Sequence, residues 1–151
     1  MSALTDVTPA DDLAVWRNLQ RMQVTIMRRL ENALVAAHDL PLASFDVLHQ
    51  LAQAPQHRLR MNDLAVGVLL SRSGLTRLVD RLERDGLVAR NACPSDARGL
   101  FAVLTPTGRS RLADAMPTYN RCIREYFINR VGASELRQIA TTAAKFTGPL
   151  G

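Results

Sequence analysis

Apolar residues recur every three or four positions over most of the chain and run together only briefly, which predicts a mainly helical protein with one small hairpin. The clearest pattern begins at Ser71. At roughly 100° per residue, Leu75, Leu78, Val79 and Leu82 fall in one narrow stripe, while Ser73, Thr76, Arg77, Asp80 and Arg84 lie opposite. Ser71 is placed to accept an orphan N–H of the first turn. Gly86 stands where a left-handed residue closes a helix, with Leu87 behind it as the apolar contact. The helix is therefore expected from about Ser71 to Asp85. Leu87-Val88-Ala89-Arg90 and Leu100-Phe101-Ala102-Val103-Leu104 flank a Cys93-Pro94-Ser95-Asp96-Ala97-Arg98-Gly99 break, which reads as a hairpin with a basic tip.

The other elements follow from spacing and punctuation. Residues 1–10 are polar and contain Pro9, as in a frayed tail. Trp16, Leu19, Met22, Ile26, Leu30, Ala33 and Ala37 mark a long amphipathic helix from Asp11 to about His38, with Arg17, Arg21, Arg28, Arg29 and Glu31 on its other face and Asp39-Leu40-Pro41 as its end. Ser44 is the expected cap of a second helix carrying Phe45, Val47, Leu48 and Leu51, stopped by Pro55. Arg58-Leu59-Arg60 suits a single strand pairing with the hairpin. Asn62 is the expected cap of a short helix over residues 63–68, and the turn from Gly67 to Leu70 gives the spacing of a helix-turn-helix. Thr105-Pro106 opens a helix expected to reach Val131, kinked at Pro117, in which Leu112, Met116, Tyr119, Ile123 and Tyr126 step close to heptad spacing. Gly132 breaks it. Ser134, with Glu135 in the first turn, is the expected cap of a last helix turning Leu136, Ile139, Ala140 and Ala143 inward.

The chain has 151 residues, 47% of them hydrophobic and 22% charged, so a globular domain with a core is expected. No apolar run approaches the ~20 residues that span a bilayer, and the first residues lack the basic and apolar regions of a secretory signal; a cytoplasmic protein with no membrane association is the expectation. Cys93 and Cys122 lie far apart and form no CxxC pair. The net charge of +5 becomes informative once located: ten arginines and five acidic residues lie between Arg58 and Arg111, so the whole excess sits on the helix-turn-helix and hairpin. It is all arginine, whose planar fork suits phosphate and guanine.

Leu70-Ser71-Arg72-Ser73-Gly74-Leu75-Thr76-Arg77-Leu78-Val79-Asp80-Arg81-Leu82-Glu83-Arg84-Asp85-Gly86-Leu87-Val88, followed by Asp96-x-Arg98-Gly99 and Leu104-Thr105-x-x-Gly108, resembles the MarR family of bacterial transcriptional regulators. The resemblance runs from about Trp16 to Leu136. It implies an α+β fold, mainly helical with a small hairpin: a winged helix-turn-helix over residues 41–105, with dimerisation helices at 1–40 and 106–151 of one compact domain. The expected function is that of a homodimeric regulator, a repressor, on a pseudo-palindromic operator. Two copies would set their reading helices ~34–36 Å apart.

Ser71, Arg72, Ser73, Thr76, Arg77, Arg81 and Arg84 are the candidate DNA contacts of the helix. Ser73, Thr76 and Arg77 are placed for base edges, with Arg77 able to bridge guanine O6 and N7; Arg72, Arg81 and Arg84 are placed for phosphates. Asp80 sits three residues from Arg77 and four from Arg84, so a pair within the helix is expected to temper one of them. The resemblance puts the wing arginine at Arg98, reaching a minor groove, and its orienting partner at Asp96. It also implies a small, often phenolic, effector, for which Trp16, Met22, Phe45, His49 and Met116 are candidate lining residues, although side chains at that spacing commonly serve as core.

Two other readings stay open at this stage. One is a winged helix used as a protein-interaction module, which neutral faces would have favoured. The other is a thiol-based redox sensor acting through Cys93 or Cys122, which would need a lowered pKa. An enzyme is not expected, because no nucleophile set or glycine-rich phosphate loop is present. No cofactor is implied, and His38, His49 and His57 lack metal-ligand spacing.

Overall fold

A computed structural model of the chain describes residues 10–68, 70–93 and 96–147. Along the chain run α1 (Ala10–His38), α2 (Leu42–Gln53), β1 (Arg58–Arg60), α3 (Met61–Gly67), α4 (Arg72–Arg84), β2 (Val88–Cys93), β3 (Asp96–Leu104), α5 (Pro106–Tyr126) and α6 (Ala133–Thr147). Mostly helical with one small sheet, this is the architecture the periodicity predicts. The chain divides into two compact units, residues 31–119 and the remainder.

In the 31–119 unit the three strands form an antiparallel sheet in the order β1-β3-β2. Arg58 pairs with Val103 and Arg60 with Phe101 on one side of β3, while Val88 pairs with Leu104 and Arg90 with Ala102 on the other. The expected lone strand is thus real, and the hairpin is longer than its apolar runs indicate. β2 continues to Cys93 and β3 begins at Asp96, across a bulge at Ala92/Cys93. Asp96 and Arg98 therefore belong to a strand and not to a seven-residue turn, while the tip, Pro94 and Ser95, lies outside the described residues. Leu34, Phe45, Leu48, Leu51, Leu64, Leu75, Val79 and Ala102 are fully buried and form the core, to which α1, α2, α3, α4 and the sheet all contribute.

Three cap assignments are corrected. Ser44 lies buried inside α2, whose cap position is Pro41; the N–H of Leu42 donates to the Glu31 carboxylate at 2.5 Å, a partner eleven residues away that no local pattern announces. Asn62 lies inside the first turn of α3, because β1 runs straight into that helix and Arg60 occupies the cap position, its side chain making no capping hydrogen bond to the first turn. For α6, the Glu135 carboxylate accepts from the N–H of Gly132 at 2.8 Å, the reciprocal half of a capping box, and Ser134 is within the helix.

Thr105 performs as expected: its Oγ1 accepts from the N–H of Gly108 at 3.0 Å and donates to the Gly86 carbonyl at 2.7 Å, tying the start of α5 to the end of the reading helix. Gly108 has no alternative there, since a Cβ would lie 2.1 Å from the Leu87 carbonyl oxygen. α5 passes through Pro117 and ends at Tyr126, five residues short of the expected Val131. Phe127 leaves the helical region at φ −129°, ψ −68°, and a single 3₁₀ turn, Ile128–Arg130, follows.

The second unit holds the first two-thirds of α1, the end of α5 and α6. Its apolar side chains are largely uncovered: Trp16, Leu19, Met22, Val24 and Phe146 are exposed. α6 has no buried residue, so Leu136, Ile139, Ala140 and Ala143 are not turned into a core of this chain, contrary to expectation.

Candidate nucleic-acid interface

α4 is fixed at both ends and along one face. The Ser71 hydroxyl accepts from the N–H of Gly74 at 3.1 Å. At the other end Gly86 takes φ 73°, its N–H donates to Glu83 at 3.0 Å, and the N–H of Leu87 donates to Leu82 at 2.9 Å. This is the two-bond Schellman closure that the Gly86-Leu87 pair predicts. Leu75, Leu78, Val79 and Leu82 are its four buried residues. Each contributes roughly 1.5–3 kcal/mol through burial, so the helix is held by its apolar stripe and its polar face is left free.

That free face holds the predicted residues. Arg72, Ser73, Thr76, Arg77, Arg81 and Arg84 are all exposed, and Arg77, Arg81 and Arg84 surround one shallow hollow with Asp80. Two of them lean on the helix backbone: Thr76 Oγ1 donates to the Arg72 carbonyl at 2.9 Å and Arg77 Nε to the Ser73 carbonyl at 3.4 Å. Ser71 is committed to its cap. Asp80 does not pair within the helix as expected. Its carboxylate lies 2.6 Å from Nη1 of Arg90, a residue of β2 that helical spacing could not bring to notice. Nη2 of Arg90 also donates to the Thr76 carbonyl at 3.3 Å.

Two more arginines stand nearby that the helix-centred reading passed over. Arg58 and Arg60 share one face of β1, and their guanidinium groups lie 4.6 and 5.8 Å from the centre of the Phe101 ring on the neighbouring strand. The signal was present as an i, i+2 pair in a strand, where alternate side chains point the same way. Arg60, Asn62, Thr76, Arg90, Gly99 and Leu100 help line a groove of about 580 Å³ between α3, α4 and the hairpin. The side chains of Asp96 and Arg98 lie outside what the structure describes.

The candidate effector residues are not gathered in the same way. Phe45 is fully buried and stacks on Tyr119, with ring centres 4.4 Å apart, and His49 stacks on Phe45 at 5.7 Å. Phe45, His49 and Met116 belong to the 31–119 unit, Trp16 and Met22 to the other. Trp16 is exposed, and the hollow that Met22 lines has none of the other four in its wall. Cys93 and Cys122 are both buried, which removes the access a sensing thiol needs.

A short helix leading into an exposed, arginine-bearing second helix, backed by a three-stranded sheet with an extended hairpin, defines a winged helix-turn-helix DNA-binding protein. Within that class, the chain matches the MarR family model over residues 38–99. It is 24% identical over 133 residues to the transcriptional repressor MprA of Escherichia coli, covering 87% of this chain and 75% of that protein. It is 29% identical to Sco3205, a MarR family transcriptional regulator of Streptomyces coelicolor solved in complex with DNA, with a TM-score of 0.85 over 96% of this chain and 94% of that one. AbsC, a MarR family regulator of the same organism, is also 29% identical, with a TM-score of 0.82 and coverage of 97% and 95%. These relatives are regulators of transcription and not enzymes.

Proposed function

We propose that the chain acts as a homodimeric repressor on a pseudo-palindromic duplex, each copy laying α4 in a major groove. The observation that carries this is the exposed face of α4, where Ser73, Thr76 and Arg77 are open to solvent, flanked by Arg72, Arg81 and Arg84. Arg77 reads a base edge, and Arg72, Arg81 and Arg84 hold phosphates. Arg98, with Asp96 orienting it, meets the adjacent minor groove. Repression as the sign of control is supported by the likeness to a named repressor. The dimer is supported by the uncovered apolar side chains of α1 and α6, which a second copy would bury. Residues 1–40 and 106–151 supply that interface and residues 41–105 the DNA-binding region.

Among the described residues no helix is long and apolar enough to cross a membrane. The protein works in the cytoplasm, where its DNA is. Modulation by a small aromatic ligand rests on the family resemblance and would act through differential affinity for two spacings of the reading helices.

The test is a fluorescence-anisotropy titration against the DNA upstream of the chain's own gene and against a scrambled duplex, at two salt concentrations. Tighter, salt-sensitive binding to the upstream duplex by two chains is expected. No binding to either duplex at low salt would replace this reading with a protein-interaction module.

A further inference from the structure

We propose that the Asp80–Arg90 pair is a specificity device: it locks the wing to the reading helix and keeps Arg90 away from DNA phosphates. The proposal rests on the DNA-binding reading above. Arg90 stands on β2 opposite Ala102 of β3. Its guanidinium holds Asp80 Oδ1 at 2.6 Å through Nη1 and the Thr76 carbonyl at 3.3 Å through Nη2. Thr76 and Asp80 are one turn apart on α4, so a single planar group grips the helix at two successive levels. A lysine, with a point charge in place of a fork, cannot reproduce that grip.

The position of the pair gives it its role. Arg90 lines the groove between α4 and the hairpin, together with Arg60, Asn62 and Thr76. A duplex read by α4 in its major groove and by the wing in the adjacent minor groove must carry one sugar-phosphate strand past this groove, since that strand separates the two. A free guanidinium there would hold any phosphate and strengthen binding to every sequence alike. Asp80 has no affinity for DNA, and its side chain is 47% exposed beside the reading face. Placed at such a site, a carboxylate weakens binding unless it restrains something that would cost more. Arg90, 21% exposed and paired at 2.6 Å, is what it restrains.

The test compares full-length wild type, Asp80→Asn, Arg90→Ala, the double variant and Arg90→Lys by anisotropy across a salt series. The probes are a duplex that the wild type selects from a random-sequence pool and a scrambled duplex of equal composition. In Asp80→Asn, binding to the scrambled duplex should tighten about tenfold, with a slope of log affinity against log salt steeper by about 0.9 per protomer as Arg90 takes a phosphate. In Arg90→Ala the ratio of selected to scrambled affinity should fall about tenfold, the scale of one misread base pair, with the slope unchanged. The double variant should match Arg90→Ala, and Arg90→Lys should recover only part of the ratio.

A flatter slope in Arg90→Ala would overturn the proposal, because Arg90 would then already be a phosphate ligand. Tightening by Asp80→Asn that persists in the double variant would overturn it as well, since it would be charge removal alone. Where Arg90→Ala fails to fold, Arg90→Gln, which keeps much of the side chain without its charge, takes its place both alone and combined with Asp80→Asn, and the same outcomes decide the matter. A wild type that selects no sequence from the pool would remove the DNA-binding reading, and the role of the pair with it.

Discussion

α4 and the first two-thirds of α1 are both amphipathic helices, yet they meet opposite fates within one chain. Every apolar residue of the α4 stripe is buried and its polar face is open. In α1 the apolar positions Trp16, Leu19 and Met22 are the open ones, and α6, also amphipathic, buries nothing. Periodicity alone is the same kind of signal in both cases, though sharper in α4. It states that a face requires a partner, and leaves open whether the partner lies in the same chain. The polar face of α4 is chemically specific, rich in arginine and hydroxyl, whereas the open face of α1 is apolar and suited to another apolar face. Under the proposed function, the contrast separates a surface for DNA from one for a second copy.

The largest expected effect breaks the second surface. Leu19→Asp places a carboxylate in a face that the proposed dimer buries, while in the single chain Leu19 is already 50% exposed. The variant should fold, sediment as one chain and lose more than about a hundredfold in affinity for the selected duplex, because each half-site is then bound alone. Sedimentation and anisotropy on the same sample check this; two chains per duplex at unchanged affinity would place the interface elsewhere. The mirror experiment is Leu75→Ala, at a side chain only 1% exposed. It should cost about 2–5 kcal/mol by denaturant titration, and the DNA affinity of the remaining folded fraction should be unaltered.

Next in size is Arg77→Ala on the open face of α4. It should leave the melting temperature near that of the wild type and reduce specific binding by roughly 1–3 kcal/mol, with little change for a scrambled duplex. An equal loss on both duplexes would move Arg77 to the phosphates and leave Ser73 and Thr76 as the readers.

How far each element could be read in advance depended on how local its cause is. The α4 helix was legible because its cap, its closing glycine and its stripe all lie within seventeen residues, Ser71 to Leu87. β1 was visible as a short alternating run and proved to be a strand of the sheet. What escaped reading was held by distant partners. Glu31 caps α2 from the preceding helix, so Ser44 looked like the nearest suitable residue and is instead buried inside. Asp80 was assigned a partner on its own helix because i, i+4 spacing is a rule of sequence, whereas pairing with Arg90 is a product of the sheet docking on α4. The candidate effector residues rest on position relative to a crevice that the resemblance implies, and position along a helix does not distinguish Phe45, stacked in a core, from a side chain bordering open space.

The smallest effect concerns a group that tests how tightly the 31–119 unit is packed. Asp46 follows Phe45 on α2, and burial pushes its carboxyl up from 3.8 to about 6. Burial also raises the Tyr119 hydroxyl above its usual range, with the nearby Asp46 charge adding to the rise. A carboxyl whose folded pKa is raised binds its proton more tightly in the folded chain than in the unfolded one. Its contribution to stability is therefore fully present below about pH 4 and is lost as pH rises through about 6. Above that range the buried charge weighs against the fold. Asp46→Asn, which keeps the shape without the charge, should raise the melting temperature at pH 7 by a few degrees and change it little near pH 4, where the wild-type side chain is already neutral. It should also let the Tyr119 hydroxyl titrate closer to its ordinary value in an absorbance titration. An equal shift in melting temperature at both pH values would mean that the amide acts through packing or hydrogen bonding. A drop at pH 7 would show that the ionised carboxylate is held by a donor and stabilises the fold, and the packing around α2 and Tyr119 would then be looser than the stacked rings imply.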